Sequence, residues 1–132
     1  MKKFKFSLDK LKSYKEQIKK REENTLASLR AEQLDKLHEK EELLKELDRR
    51  NAEFIRKSEK GMTAMEMVTE KGFISYILDS IKAKDKEISI MTAKINKQLI
   101  VVTEASREVQ TLEKLEEKYR NRNDQQSIMM KN

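Results

Sequence analysis

ISYILDSIKAKDKEISIMTAKINKQLIVV, residues 74–102, is the stretch whose periodicity decides the fold. Ile74, Ile81, Ile88, Ile95 and Val102 fall seven residues apart, and Val109 continues the column. Almost everything between them is polar or charged. A seven-residue recurrence keeps an apolar stripe facing one partner only if two helices wind around each other. The spacing therefore predicts a coiled coil. Read at alternating steps of four and three, the companion positions are Leu78, Asp85, Thr92, Leu99 and Ser106. Towards the end the stripe moves to Leu112, Leu115 and Tyr119, as an inserted step in the repeat would produce.

The rest of the chain agrees. Of its 132 residues 41% are charged and 5% aromatic, with two glycines and no proline, cysteine or tryptophan. That is too little bulky apolar material and turn chemistry for a rounded core, and it fits long helices. No run approaches the ~18 apolar residues of a membrane span. The opening MKKFKFSLDKLK lacks the apolar core of a secretory signal. The absence of cysteine excludes disulfide and thiol chemistry and suits a cytoplasmic protein.

A second, less regular stripe precedes the first: Phe4, Leu8, Leu11, Ile18, Leu26, Leu29, Leu37, Leu44, Leu47 and Phe54. Ser7 is placed to cap its start, and Asn24-Thr25 to bend it without ending it. Between the stripes lies SEKGMTAMEM. Gly61 suits a left-handed C-terminal cap, and Thr63 with Glu66 reads as a capping box. The expected fold is all-α, a long antiparallel two-helix coiled-coil hairpin. Its expected parts are helix 1 over about 7–58, a turn at about 59–63, helix 2 over about 64–120 and a flexible tail over 121–132. The expected core is Leu8, Leu11, Ile18, Leu26, Leu29, Leu37, Leu44, Leu47 and Phe54 on the first helix. On the second it is Ile74, Leu78, Ile81, Ile88, Ile95, Leu99, Val102, Val109 and Leu112. With the turn near Gly61, facing residue numbers should add to about 121, which brings Asp85 near Lys36 and Lys40.

The net charge of +6 is unevenly spread. Residues 1–21 hold nine Lys/Arg against Asp9 and Glu16, a surplus of +7 that leaves −1 for the remainder. The candidate contacts there are Lys2, Lys3, Lys5, Lys10, Lys12, Lys15, Lys19, Lys20 and Arg21. They are either a solvated helix start or a surface for an acidic protein or anionic lipid. Enzyme chemistry is not expected. The two glycines stand eleven residues apart and build no phosphate loop. The one histidine, His38, sits in a solvated acidic run, and carboxylate pairs such as Glu41-Glu42 have nothing to tune them. No cofactor or metal site is expected. Nor is nucleic-acid binding, because the basic segment is interrupted by apolar residues and offers no stacking platform.

Apolar residues beyond the stripe gather near the turn: Phe73, Ile77, Met62, Met65, Met67, Val68, Phe54 and Ile55. They read as a thicker cap closing the hairpin or as a protein-docking patch.

MKKFKFSLDKLKSYKEQ at the start and ASREVQTLEKLEEKYR near the end resemble FliJ, a small component of the bacterial flagellar type III export apparatus. The opening motif is carried by Phe4, Phe6, Leu8, Lys10, Leu11, Tyr14, Lys15 and Glu16, the closing one by Thr111 to Lys118. The resemblance implies an antiparallel coiled coil similar to the central stalk subunit of rotary ATPases. It implies a chain that promotes the flagellar export ATPase hexamer, contacts the cytoplasmic domain of the export-gate membrane protein and escorts export chaperones. It also implies a cytoplasmic protein associated peripherally with the cytoplasmic face of the membrane. The gate-contact positions it implies are Phe73, Ile77, Ser80 and Lys84; in a stalk of this kind, the basic N-terminal run is expected to meet acidic groups of the ATPase ring. The competing reading is a membrane-surface or scaffolding coiled coil that uses its basic end on anionic partners.

Overall fold

A computed structural model describes residues 2–131, with side chains as far as Met129. Helix α1 spans Lys2–Lys60 and α2 spans Ala64–Lys131. The two long helices pack against each other. Because α1 already includes Lys2, Ser7 lies inside the helix and does not cap it. The Asn24-Thr25 step leaves α1 unbroken, the Thr25 hydroxyl donating back to the Arg21 carbonyl at 3.1 Å. Of the expected tail, 121–131 is helical and Asn132 lies outside the described residues. Arg122, Gln125 and Gln126 are good helix formers, and no glycine or proline stops the helix there.

The turn forms as the sequence suggests. Gly61 has φ 95°, a conformation open to glycine because it has no Cβ to clash, and its N–H donates to the Ser58 carbonyl at 3.3 Å. Thr63 caps α2 by accepting the Glu66 N–H at 3.1 Å, and the Met67 N–H reaches the Thr63 carbonyl at 3.0 Å.

Two compact units make up the chain. The turn unit is Leu29–Lys94; the terminal unit joins Met1–Ser28 to Ile95–Asn132. In the turn unit, the seam on α1 runs through the half-buried positions 29, 33, 36, 40, 43, 47, 50, 54 and 57, with 46 and 53 also half-buried at its edge. On α2 the matching set is 70, 74, 77, 81, 84, 88 and 91. In the terminal unit the sets are 8, 12, 15, 19, 22 and 26 against 95, 98, 102, 105, 109, 112, 116 and 119. All four alternate steps of three and four, the knobs-into-holes spacing.

The isoleucine column therefore lies in the seam, but its companions sit one residue earlier than expected. Each column residue is followed after three positions, by Ile77, Lys84, Met91, Gln98, Ala105 and Leu112, so that Leu112 and Tyr119 continue the repeat without an inserted step. Met91 and Val109 are each 3% exposed. The expected core residues Leu11, Leu37, Leu44 and Leu78 are exposed instead. Each stands one residue from a seam position, held by Lys12, Lys36, Leu43 and Ile77 respectively. Ile18 and Leu99 lie half-buried at the seam's edge, beside Lys19 and Gln98. Phe4, also in the expected stripe, is exposed.

Nine of the fifteen α1 seam positions are polar: Lys12, Lys15, Lys19, Glu22, Gln33, Lys36, Lys40, Arg50 and Lys57. The apolar surface comes chiefly from α2, and the lysine stems of α1 cover it while their ammonium groups turn outward to carboxylates. In the turn unit Lys40 meets Asp85 at 2.6 Å, Lys57 meets Glu70 at 3.1 Å and Lys36 meets Glu87 at 3.6 Å. In the terminal unit Lys12 meets Glu116 at 2.8 Å and Lys15 meets Glu108 at 2.9 Å. Gln98 donates to the Glu22 carbonyl at 3.0 Å and to its carboxylate at 2.7 Å. The expected Asp85–Lys40 meeting is thus present, and the facing numbers in these pairs add to 120–128.

Ile77 is 7% exposed and its neighbour Leu78 44%. Replacing a buried Ile by Ala costs about 2 kcal/mol or more. Ile77→Ala is therefore expected to lower stability by about that amount, and Leu78→Ala by less than about 1 kcal/mol. Urea denaturation followed by circular dichroism measures both. The opposite order would return the seam to Leu78.

Candidate partner-binding surfaces

The turn unit presents a charged flank around one aromatic ring. Phe73 is 47% exposed, one residue off the seam, and the Arg50 guanidinium sits over its ring at 4.7 Å. Arg50 in turn donates to Glu46 at 3.2 Å, and Glu46 also takes the Arg49 guanidinium. Of the other expected gate residues, Ile77 is buried in the seam beneath this flank. Ser80 is half-buried, its hydroxyl donating to the Tyr76 carbonyl at 2.9 Å. Lys84 is a seam residue whose ammonium emerges between Glu39 and Glu87, the latter at 2.8 Å. An open groove runs between His38, Glu39, Glu42, Leu43, Glu46 and Lys84. Phe73, Ser80 and Lys84 thus reach the same flank, and Ile77 supports it from within.

Arg50, Glu46 and Glu39 were not among the residues read from sequence as a site. The signal was available: once Gly61 fixes the turn, the register sets Arg50 beside Phe73 and Glu39 beside Lys84.

The basic N-terminal run divides in two. Lys12 and Lys15 are committed to Glu116 and Glu108 across the seam, and Lys19 is half-buried. Lys2, Lys3, Lys5, Lys10 and Lys20 are exposed, as is Arg21, whose Nε lies 3.9 Å from Glu22. Lys10 stands over the Phe6 ring at 5.3 Å. Phe4 packs on Tyr119 with ring centroids 5.4 Å apart, and the notch between Phe4, Leu115 and Tyr119 is rimmed by Lys118 and Arg122. The charge partition is complete at the level of the units. The terminal unit holds 16 Lys/Arg against 10 Asp/Glu, a net +6, while the turn unit holds 14 of each.

Paired bases hold three carboxyls below the usual carboxylate range. Arg49 and then Arg50 do so for Glu46 through hydrogen bonds. Lys84 and Lys36 do so for Glu87, and Lys12 for Glu116. Such groups are fixed anions that orient cations, and they have no proton to give near neutrality. Among the described residues, no helix is long and apolar enough to cross a membrane.

A carboxyl with a depressed folded pKa contributes stability that is fully present above its unfolded value, about 4.3 for Glu. The contribution is lost as pH falls through the folded value. The thermal midpoint is therefore expected to fall below about pH 4.5. Glu116→Gln should flatten that fall and lower the midpoint at pH 7. Melts followed by circular dichroism across pH check this, and an acid limb unchanged by the substitution would mean the cross-helix pair adds no net stability.

The sequence matches the profile of the flagellar FliJ protein over residues 4–128. No curated protein and no solved structure gives a significant match. The matched span takes in the turn, most of both helices, the Phe73 flank and the basic run from Lys5 onward. The chain belongs to the FliJ family, whose members are non-enzymatic components of flagellar protein export.

Proposed function

We propose that this export component works as a stalk-like coupler. Its terminal unit engages the export ATPase hexamer and promotes its activity. Its turn unit meets the cytoplasmic domain of the export-gate membrane protein, and the chain escorts export chaperones. It acts in the cytoplasm, held peripherally at the membrane through these partners. The partition of charge carries the reading, since the entire net charge of +6 resides in the terminal unit. Long-range attraction to an acidic surface therefore acts on that unit alone. Lys2, Lys3, Lys5, Lys10 and Lys20 are the exposed lysines of its α1 segment, while Phe73, Ser80 and Lys84 offer the gate an aromatic, a small and a basic group.

The exposed Phe6, 64% accessible beside Lys10, favours a second reading in which the same end sits on anionic lipid.

Saturating amounts of the chain should raise hydrolysis by its cognate ATPase, and unchanged turnover would overturn the proposal. Reversing the charge of Lys2, Lys3, Lys5 and Lys10 together should weaken ATPase engagement by about tenfold at low salt, with gate binding unaffected. Salt-sensitive sedimentation with anionic vesicles, without any effect on the ATPase, would instead establish the lipid reading. Phe73→Ala should reduce gate binding with little change in melting. Ile77→Ala should lower the melting midpoint as well, which separates a contact residue from one that supports it.

A further inference from the structure

The position just beside the seam changes character along α1. It carries Lys2, Asp9, Glu16, Glu23 and Arg30, and then Leu37 and Leu44. Leu34 lies just outside them at 67% exposure, and Leu78 of α2 occupies the equivalent flank. Ile55 and Val68 extend the same side towards the turn, both exposed. All six lie within the turn unit. A two-helix seam needs two apolar positions in seven. A third, beside the seam, is the wider face of a helix that also packs in a bundle. The flank lies opposite the one that carries Phe73, Arg50 and Glu46.

We infer that this leucine flank is a docking surface for a second copy of the chain, the two turn units forming a four-helix arrangement. The two-fold axis runs parallel to the helices, so α1 of each copy lies over α2 of the other. Such an interface must be self-complementary, each residue meeting the residue that meets it in return. The register provides this. Lys40 against Asp85 at 2.6 Å and Lys84 against Glu39 fix the levels of the two helices. They set Leu44 level with Leu78 and Glu41 level with Lys82. The axis keeps these levels while exchanging the helices, and so brings Leu44 against Leu78 and Glu41 against Lys82 of the second copy, each contact made twice. Neither charge is engaged by a strong partner at home. Glu41 has His38 at 3.8 Å, and Lys82 makes no ion pair or hydrogen bond among the described residues.

The size of the face sets the strength. From Leu34 to Ile55 is roughly 30 Å of helix, and two helices side by side are about 20 Å across. About 600 Å² per copy is at the low end of specific interfaces, so the dimer should be weak and concentration-dependent, with Kd on the order of 10–100 μM.

Sedimentation equilibrium of the full chain over a range reaching about 1 mM tests the inference. The expected result is a monomer–dimer equilibrium that Leu44→Glu abolishes with helicity unchanged. E41K and K82E should each weaken it by about tenfold, since the axis repeats each pair, and the double variant should restore it. Glu41 and Lys82 are both exposed, so these variants do not depend on tolerance in the core. A monomer at every concentration, as expected if another protein covers the flank, would overturn the inference. So would a dimer indifferent to both charge reversals. Neither outcome bears on ATPase stimulation, so this inference and the proposed function fail independently.

Discussion

Everything in this structure depends on one apolar column, Ile74 to Val109, being kept from water by a helix that has few apolar groups to offer. Burial of such side chains drives association at about 25 cal/mol per Å², and α2 presents them at every seventh residue. The first helix answers with long amphipathic side chains. The methylene stems of Lys12, Lys15, Lys36 and Lys40 lie in the seam, and their ammonium groups leave it to reach Glu116, Glu108, Glu87 and Asp85. The arrangement is asymmetric: α2 supplies most of the greasy surface, while α1 supplies cover and charge.

That asymmetry also fixes the register. An apolar column with a seven-residue repeat tolerates a slip of two turns almost as well as none. Lysines that must each find a carboxylate on the other helix do not tolerate it. In the turn unit a slip of seven residues would part Lys40 from Asp85, Lys57 from Glu70 and Glu39 from Lys84 together. Each pair alone is weak, being partly exposed to solvent, and their joint value lies in excluding the alternatives. Gly61 contributes the other constraint, since its left-handed conformation ends α1 where the pairs require it.

Because α1 fills much of its seam with polar residues, many of its leucines are left on the flanks. The turn unit therefore has two distinct outer faces. One combines Phe73, Arg50, Glu46 and Lys84, a mixed aromatic and charged surface suited to a selective partner. The other is the leucine flank with Glu41 and Lys82. The terminal unit differs from both, with its exposed lysines and the Phe4–Tyr119 stack. One hairpin thereby carries three chemically different surfaces, and no two of them compete for the same side chains.

The seven-residue column, the turn at Gly61, the cap at Thr63 and the excess of positive charge near the start were all legible in the sequence. Each is a local property: a period, a left-handed residue, a side chain reaching three residues along, a count. The companion column was not legible. Ile77 and Leu78 are adjacent and both apolar, and nothing local says which one faces in. On α1 the rule of apolar inside chose Leu11, Leu37 and Leu44, where the structure seats Lys12, Lys36 and Leu43. The membership of the seam is decided by the geometry of two wound helices, which admits steps of three and four in one phase only. It is also decided by the reach of lysine, whose charge can leave a seam that its stem helps to fill. Both are properties of the paired helices, and so the residues on the outer faces were settled only by the tertiary structure.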